Sequence, residues 1–296
     1  MKIGYPCKNT SVGCSSSKRF NLKSYTKAKT KETVRANLEC LENVIDYNIK
    51  NNIMFFRISS DIVPFASHPV MDFKWQRIFR NEFERIGGII MKAKMRISTH
   101  PDQFVLINAL DGNIVERSIK ELLYHGEMFD LFGFETNAKI QIHVGGAYKD
   151  KEEAKKRFIR NFRLLPKFVR RRLAVENDDR LFTIDDILEI CEKTEAKPLL
   201  DNFHDALNPS KQSFEILLKR ASEYWNEKRD GIIMTDYSSQ ERGKRRGSHA
   251  ETIDINDFKH YIDRTKKIDF DIMLEIKDKE KSALKALKYL KEAKRI

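Results

Sequence analysis

Eight short apolar runs alternate with long amphipathic segments along the chain, and this alternation restricts the fold more than any other feature. The apolar runs, which we interpret as β-strands, are Lys2–Tyr5, Ile53–Ile58, Met95–Thr99, Lys139–Val144, Arg172–Glu176, Pro198–Asp201, Gly231–Thr235 and Phe270–Glu275. The predicted helices lie near residues 32–50, 72–92, 113–132, 151–165, 183–194, 210–226, 254–267 and 278–293. Eight such pairs in 296 residues predict an α/β fold, a (β/α)8 TIM barrel that forms a single domain over residues 1–296. An open sheet with extra helices is the alternative.

Two local patterns support these boundaries. Thr183 is followed three residues later by Asp186, which predicts a capping box at the start of the fifth helix. In the last helix Leu284, Leu287 and Leu290 recur every three residues among lysines, as expected of a helix that packs one face on a barrel.

The chain is strongly basic, with 56 Lys and Arg against 44 Asp and Glu, a net charge of +12 and a pI near 9.4. This excess suits a polyanion such as nucleic acid or an anionic membrane surface, although a lysine-rich solvated surface would look the same. No run of about 18 apolar residues occurs. Met1 leads into the strand-like Lys2–Tyr5 instead of a signal peptide, so we predict a cytoplasmic protein that does not span a membrane.

The four cysteines have neither the spacing of a zinc site nor the density of a disulfide framework. We predict that all of them are free thiols in a reducing compartment. They are Cys7, Cys14, Cys40 and Cys191.

Polar side chains that can bind metals follow the predicted strands. In a TIM barrel such positions converge on the C-terminal mouth, where active sites lie. These side chains are His100, His143, Glu176, Asp201, His204, Asp236, His249 and Glu275. A single histidine beside a strand is more often structural than a ligand, but six strand ends with the same property are hard to ascribe to coincidence. His125 and His260 lie within predicted helices, and we interpret these two as structural.

A mixture of imidazoles and carboxylates favours Mn²⁺, Zn²⁺ or Fe²⁺ over Ca²⁺, and the lack of thiolates excludes a cysteine-type zinc site. Eight ligands are too many for one ion, so we predict two or three ions that share a carboxylate. Ions about 3.5–4 Å apart stabilise both the attacking and the leaving oxygen in displacement at phosphorus, and they make hydroxide available at neutral pH.

The same rim carries cations. The loop after the seventh strand contains four of them close to His249, and we call these four residues the basic loop. They are Arg242, Lys244, Arg245 and Arg246. Such side chains would hold phosphates over the ions without reading sequence.

Eight motifs, in order from the first strand to the last, resemble those of the UV damage endonucleases, TIM-barrel enzymes that nick DNA immediately 5′ of ultraviolet photoproducts. The motifs are Gly4–Asn9, Arg57–Ile62, Ser98–Phe104, His143–Tyr148, Glu176–Asp179, Asp201–His204, Tyr237–Gln240 and Gly247–Ala250. The resemblance implies a metal-dependent DNA repair endonuclease, in which hydroxide attacks the phosphate beside a cyclobutane dimer or 6-4 photoproduct and leaves a 3′-hydroxyl and a 5′-phosphate. It implies a monomer that acts on double-stranded DNA at the nucleoid.

The resemblance also implies roles for individual residues. One ion would be held by His100, His143 and Glu176. A second would be held by Glu176, Asp201 and Glu275, and a third by His204 and His249. The usual metal of the family is Mn²⁺, with Zn²⁺ or Mg²⁺ as alternatives.

The DNA-contacting residues follow from the same resemblance. Gln103 and Phe104 would probe the gap that the flipped lesion leaves, and Tyr5 and Asn9 would contact the lesion itself. The remaining residues expected to contact DNA are His68, Tyr148 and the basic loop.

This chain departs from the family pattern at three points. Asp236 stands where many members have a histidine, and Phe104 stands where a tyrosine is frequent. Gly247 occupies the place of an aspartate found in related abasic-site endonucleases, which leaves the third ion with two protein ligands.

Two other functions are compatible with these residues. A sugar isomerase or epimerase on the same fold would also use a divalent ion, although the basic loop gives a neutral sugar no advantage. A nucleic-acid binder that has lost catalysis is the other alternative, and Asp236 is the main reason to consider it.

Overall fold

A computed structural model describes residues 1–296 and shows one closed barrel in which eight parallel strands pair in chain order, the last with the first. The predicted TIM barrel is therefore confirmed. The strands are β1 Ile3–Pro6, β2 Phe55–Ile58, β3 Arg96–Thr99, β4 Lys139–His143, β5 Leu173–Glu176, β6 Lys197–Asp201, β7 Met234–Tyr237 and β8 Asp271–Leu274. Nearly every strand residue is buried, because helices cover the outside of the barrel and side chains fill its interior.

Twelve helices surround the strands, and each predicted helix corresponds to at least one of them. The helices are α1 Lys27–Lys50, α2 Trp75–Ile78, α3 Arg80–Lys92, α4 Gly112–Leu131, α5 Lys151–Phe162, α6 Lys167–Arg170, α7 Ile184–Glu192, α8 Asn202–Leu207, α9 Phe214–Ser222, α10 Glu227–Asp230, α11 Ile255–Arg264 and α12 Glu280–Glu292. The segment predicted as one helix near 72–92 is divided into α2 and α3. The short helices α6, α8 and α10 were not predicted, because single turns carry too little periodicity to be recognised. No helix combines the length and apolar character needed to cross a membrane.

The local predictions about helix ends and faces are confirmed. A capping box begins α7, where the backbone N–H of Thr183 donates to the Asp186 carboxylate at 2.8 Å. On α12, Leu287 and Leu290 are buried and Leu284 packs at the edge of the core.

Strand β7 lies later in the chain than predicted. Gly231 has a φ of 75°, in the left-handed region that favours glycine, and it ends α10. The chain enters the barrel only at Met234 and leaves it after Tyr237. Asp236 is therefore an interior residue of the strand and does not lie beyond its end.

The prediction of four free thiols is wrong for two of them. Cys14, in the loop after β1, forms a disulfide with Cys40 on α1, while Cys7 and Cys191 are free. The loop returns over the helix and brings the two Cα atoms within 5.8 Å, a proximity that a sequence separation of 26 does not reveal.

Candidate metal centre

The predicted ligands meet at the C-terminal mouth of the barrel because neighbouring parallel strands end at the same level. His143 is paired in register with Glu176, and Asp201 with Asp236. His100 and Glu275 follow the last residues of β3 and β8. Side chains from six strands thus face one buried space.

Glu176 is the centre of the first group. Its Oε2 atom lies 3.2 Å from Nε2 of His100 and 3.6 Å from Nε2 of His143, and its Oε1 atom lies 3.2 Å from Nδ1 of His204. Burial alone would raise the pKa of Glu176, but the three imidazoles outweigh burial and hold this pKa well below its usual value. Glu176 is therefore an anion with two histidines beside one carboxylate oxygen and a third beside the other, and all three histidines can bind a metal.

A helix cap explains how Asp201 and His204 come to lie side by side. Asp201 ends β6, and its Oδ1 atom accepts hydrogen bonds from the backbone N–H groups of Phe203 at 2.6 Å and His204 at 2.8 Å, which begins α8. One helical turn then carries His204 back over the barrel. The Oδ2 atom of Asp201 is buried without a hydrogen-bond partner and remains available for an ion.

The electrostatic field of the centre favours cations. Burial alone would lower the pKa of His204, but the carboxylates of Asp201 and Glu176 raise it to about 11. Burial and neighbouring carboxylates raise the pKa of Asp201 to about 6. These shifts are typical of a cluster that holds more negative charge than its own histidines compensate.

A second group lies deeper in the barrel around Arg57, which projects from β2. Its guanidinium donates to Oδ2 of Asp236 at 2.7 Å, to Oε1 of Gln141 at 2.8 Å and to a carboxylate oxygen of Glu275. Burial raises the pKa of Asp236 well above its usual value. Burial acts in the same direction on Glu275, but Arg57 outweighs it and lowers the pKa of that carboxyl to about 2.

The spatial grouping of the ligands differs from the expected one. Glu176 lies with His100 and His143 as expected. His204, however, groups with Glu176 and Asp201, while Glu275 groups with Asp201 and Asp236. The expected pair of His204 and His249 is looser, with ring centroids 6.3 Å apart. The Nδ1–H group of His249 donates to the carbonyl of Glu275 at 2.8 Å, which leaves Nε2 free.

These donor sets fit a divalent metal. Each of the three triads has ligand atoms within 4.8 Å of one another, and they share Glu176 or Asp201. Asp236 differs from the other ligands, because its Oδ2 atom accepts from Arg57 while its Oδ1 atom is buried without a hydrogen-bond partner. Nitrogen and oxygen donors without sulfur suit Mn²⁺ or Zn²⁺.

The residues expected to probe DNA lie on the surface. Phe104, in the loop after β3, is 73% exposed, and Gln103 beside it is exposed too. His68 is exposed in the loop after β2. Tyr148 is 38% exposed, with the guanidinium of Arg157 5.2 Å from its ring centre. An aromatic ring this exposed has few apolar neighbours in its own chain and is free to contact a partner.

Tyr5 and Asn9, which the resemblance assigns to the flipped lesion, lie below that surface. Tyr5 is fully buried, and its hydroxyl donates to Asn48 on α1 at 2.6 Å. The amide of Asn9 donates to the same hydroxyl at 2.7 Å. The two side chains fasten the loop after β1 to the barrel.

The basic loop is exposed as predicted, and all four of its cations lie on the surface. An isolated bridge between Gln240 and His249 closes the segment into a hairpin beside the metal centre. Arg246 donates to the carbonyl of Leu207 at 2.6 Å, while Arg242 extends into solvent.

A cavity of about 720 Å³ opens next to His100, between the loops that follow β1, β2 and β3. Its wall includes the aromatic rings of Phe20 and Phe65 and the cations of Arg19 and Arg117, together with three acids, Asp61, Asp102 and Glu121. This volume is in the range of pockets that hold small organic groups.

Sequence reasoning missed the functional position of Arg57 and Gln141. Arg57 stands between Phe56 and Ile58, and Gln141 between Ile140 and Ile142. A charged or amide side chain between apolar neighbours inside a predicted buried strand is the signal that could have identified them.

Barrel, ligand cluster and cationic rim together define a TIM-barrel enzyme with a histidine and carboxylate centre at its mouth. The profile of the UV-endonuclease UvdE family matches residues 1–296, and the chain belongs to this family. Its class of activity is thus that of a DNA repair endonuclease.

Individual relatives agree with this assignment. The chain is 38% identical to a UV DNA damage endonuclease of Clostridium perfringens (strain 13 / Type A), over 99% of this chain and 71% of that protein. It is 34% identical to a UV DNA damage endonuclease of Bacillus cereus (strain Q1), over 96% and 92% of the two chains. The crystal structure of SacUVDE superposes with a TM-score of 0.95 at 40% identity over the full length of both chains.

More distant structures share only the fold. Endonuclease IV from Thermus thermophilus has a TM-score of 0.57 at 16% identity, over 85% of this chain and 93% of that one. A D-psicose 3-epimerase from Clostridium cellulolyticum has the same TM-score at 11% identity, over 85% and 92%. The sugar epimerases thus share the barrel at low sequence identity, whereas the UvdE family matches in sequence over residues 1–296.

Proposed function

We propose that the protein cuts double-stranded DNA immediately 5′ of a cyclobutane dimer or 6-4 photoproduct, and leaves a 3′-hydroxyl and a 5′-phosphate. The observation that carries this proposal is Glu176, which is buried between His100, His143 and His204 at the barrel mouth. The proposal also rests on the exposed ring of Phe104 and on the cavity beside it.

The predicted ligands would hold two or three divalent ions, most suitably Mn²⁺. When bound, such ions lower the pKa of water toward neutrality and stabilise the charge that builds up on the phosphate. The protein's own residues hold the metal-binding side chains in position. The Nδ1–H group of His100 donates to the carbonyl of Pro101 at 2.8 Å and directs Nε2 toward the centre, as second contacts of metal-binding histidines do.

The cavity next to His100 would hold the extruded lesion. Removing a dinucleotide from the helix costs a few kcal/mol, and the cost is lowest where stacking is already damaged. Phe20 and Phe65 offer aromatic faces to the bases, and Arg19 and Arg117 offer charge to the phosphates. Phe104 and Gln103 would enter the vacated stack.

The basic loop would grip the backbone near the cut. Its cations are solvent-exposed and project from a hairpin that ends at His249. Contacts of this kind add affinity without sequence preference, which suits an enzyme that has to find lesions anywhere. We further propose that the enzyme acts as a monomer on chromosomal DNA in the cytoplasm.

The test is cleavage of an end-labelled duplex that carries one defined photoproduct, in the presence of Mn²⁺. We expect a nick that depends on the lesion and that Glu176→Gln abolishes. Glu192→Gln, an exposed acid at the end of α7, is the matched control and should behave like the parent. Equal cleavage of undamaged DNA, or full activity of Glu176→Gln, would refute the proposal.

The same assay separates the alternatives. His143→Ala should lose cleavage, whereas His260→Ala, an exposed histidine of α11, should not. A protein that binds the lesion duplex but never cuts it, whichever metal is added, would be the non-catalytic binder.

A further inference from the structure

Arg57 occupies the floor of the metal centre. It is almost fully buried, and one end of its guanidinium contacts two different carboxylates, those of Asp236 and Glu275. These two residues, with Asp201, form the one candidate triad that consists of carboxylates alone. This triad offers only oxygen ligands, which suit a divalent cation. It is nevertheless already in contact with a cation of the protein, the guanidinium of Arg57.

We infer that Arg57 takes the place of a divalent ion in the triad of Asp201, Asp236 and Glu275, so that the centre holds two ions, and that Asp236 anchors this arginine instead of binding metal. The inference rests on the proposed function, because it concerns the ions of the same centre. It also assigns Arg57 as a positioning residue, which acts on the reaction through the carboxylates that it holds.

Charge balance supports two ions. The centre has four carboxylates, those of Glu176, Asp201, Asp236 and Glu275. Bound cations favour the ionised form of all four. Two divalent ions and one guanidinium then exceed the four negative charges by one, and a single hydroxide removes that excess. A third divalent ion beside Arg57 would leave two uncompensated positive charges in a buried site, which is costly.

Hydrogen bonds explain how Arg57 positions the ligands. Gln141 accepts from Arg57 through Oε1, so its Nε2 group donates to Glu176 and to Asp236, each at 2.5 Å. The amide can make all three contacts in this orientation only. Arg57 thus fixes Glu275 directly and Glu176 through Gln141, and it occupies Oδ2 of Asp236.

The test is the number of Mn²⁺ ions bound by the full chain, measured by equilibrium dialysis and elemental analysis. We expect two in the parent and three in Arg57→Met, because removing the guanidinium frees two carboxylates for a further cation. The double variant Arg57→Met/Asp236→Asn should return to two. Arg96→Met is the matched control: it removes another buried arginine, paired with Asp271 at the opposite end of the barrel, and should still bind two.

Three ions in the parent, or no gain of metal in folded Arg57→Met, would overturn the inference while leaving the cleavage activity intact. No ion in the parent would overturn the proposed function as well. Should Arg57→Met fail to fold, Asp236→Asn decides the question. If Asp236→Asn binds two Mn²⁺ ions with unchanged affinity, Asp236 anchors Arg57 and is not a metal ligand. If this variant loses one ion, Asp236 is a metal ligand and the inference is contradicted.

Discussion

Truncation of Phe104 tests how the protein recognises its lesion. The ring is 73% exposed, so Phe104→Ala removes almost no packing within the protein and should change its stability by less than about 0.5 kcal/mol. Stacking of an aromatic ring on a base contributes about 1–3 kcal/mol. The affinity for a lesion duplex should therefore fall about 5- to 150-fold.

The assay is fluorescence anisotropy in metal-free buffer, which prevents cleavage, with lesion and undamaged duplexes measured in parallel. Only the lesion duplex offers a gap for the ring, so its affinity should fall while that of undamaged DNA stays the same. Leu110→Ala is the control, because Leu110 belongs to the same loop and is 65% exposed. An unchanged affinity for the lesion, or an equal loss on both duplexes, would refute the assignment of Phe104 as a probe.

Three further predictions concern charge, the disulfide and acid stability. Exchange of the four cations of the basic loop for serine should reduce the slope of log affinity against log salt by about one for each cation that contacts phosphate; an unchanged slope would place the DNA elsewhere. Replacement of Cys14 and Cys40 by serine should lower the free energy of unfolding by roughly 3 kcal/mol in urea titrations, given the 26-residue separation; a change near zero would contradict this. Burial alone would raise the pKa of Asp230, but hydrogen bonds and charge from Arg229 and Lys139 lower it to about 2. The stabilisation that ionised Asp230 gives to the folded state is present above the unfolded-state pKa of about 4 and is lost as the pH falls toward 2. In Asp230→Asn the free energy of unfolding should therefore fall by about 2 kcal/mol less than in the parent over this pH range. An unchanged pH dependence of the free energy of unfolding in this variant would refute that assignment.

The sequence predicts the barrel well because each strand is a short apolar run that ends in polar residues. Burial on both faces of a parallel strand produces this run, and function at the C-terminal mouth produces its polar end. His143, Glu176 and Asp201 could be placed at the mouth by this reasoning alone. His204 could also be placed at the mouth, because it lies three residues after Asp201.

Other features depend on contacts between distant parts of the chain. Asp236 was expected after β7, but the left-handed turn at Gly231 shifts the strand and places the carboxylate inside the barrel. Its partner Arg57 is 179 residues away, so no local pattern reveals the pair. Tyr5 shows the same limit, because only the packed structure shows that Asn48 binds its hydroxyl.

The central claim is that Glu176 lies at the heart of a metal centre, and anomalous diffraction at the manganese edge from crystals grown with Mn²⁺ tests it most directly. We expect anomalous peaks about 2.0–2.2 Å from the carboxylate oxygens of Glu176, each also within reach of His100, His143 or His204. A manganese-loaded crystal with no peak beside Glu176 would contradict the account.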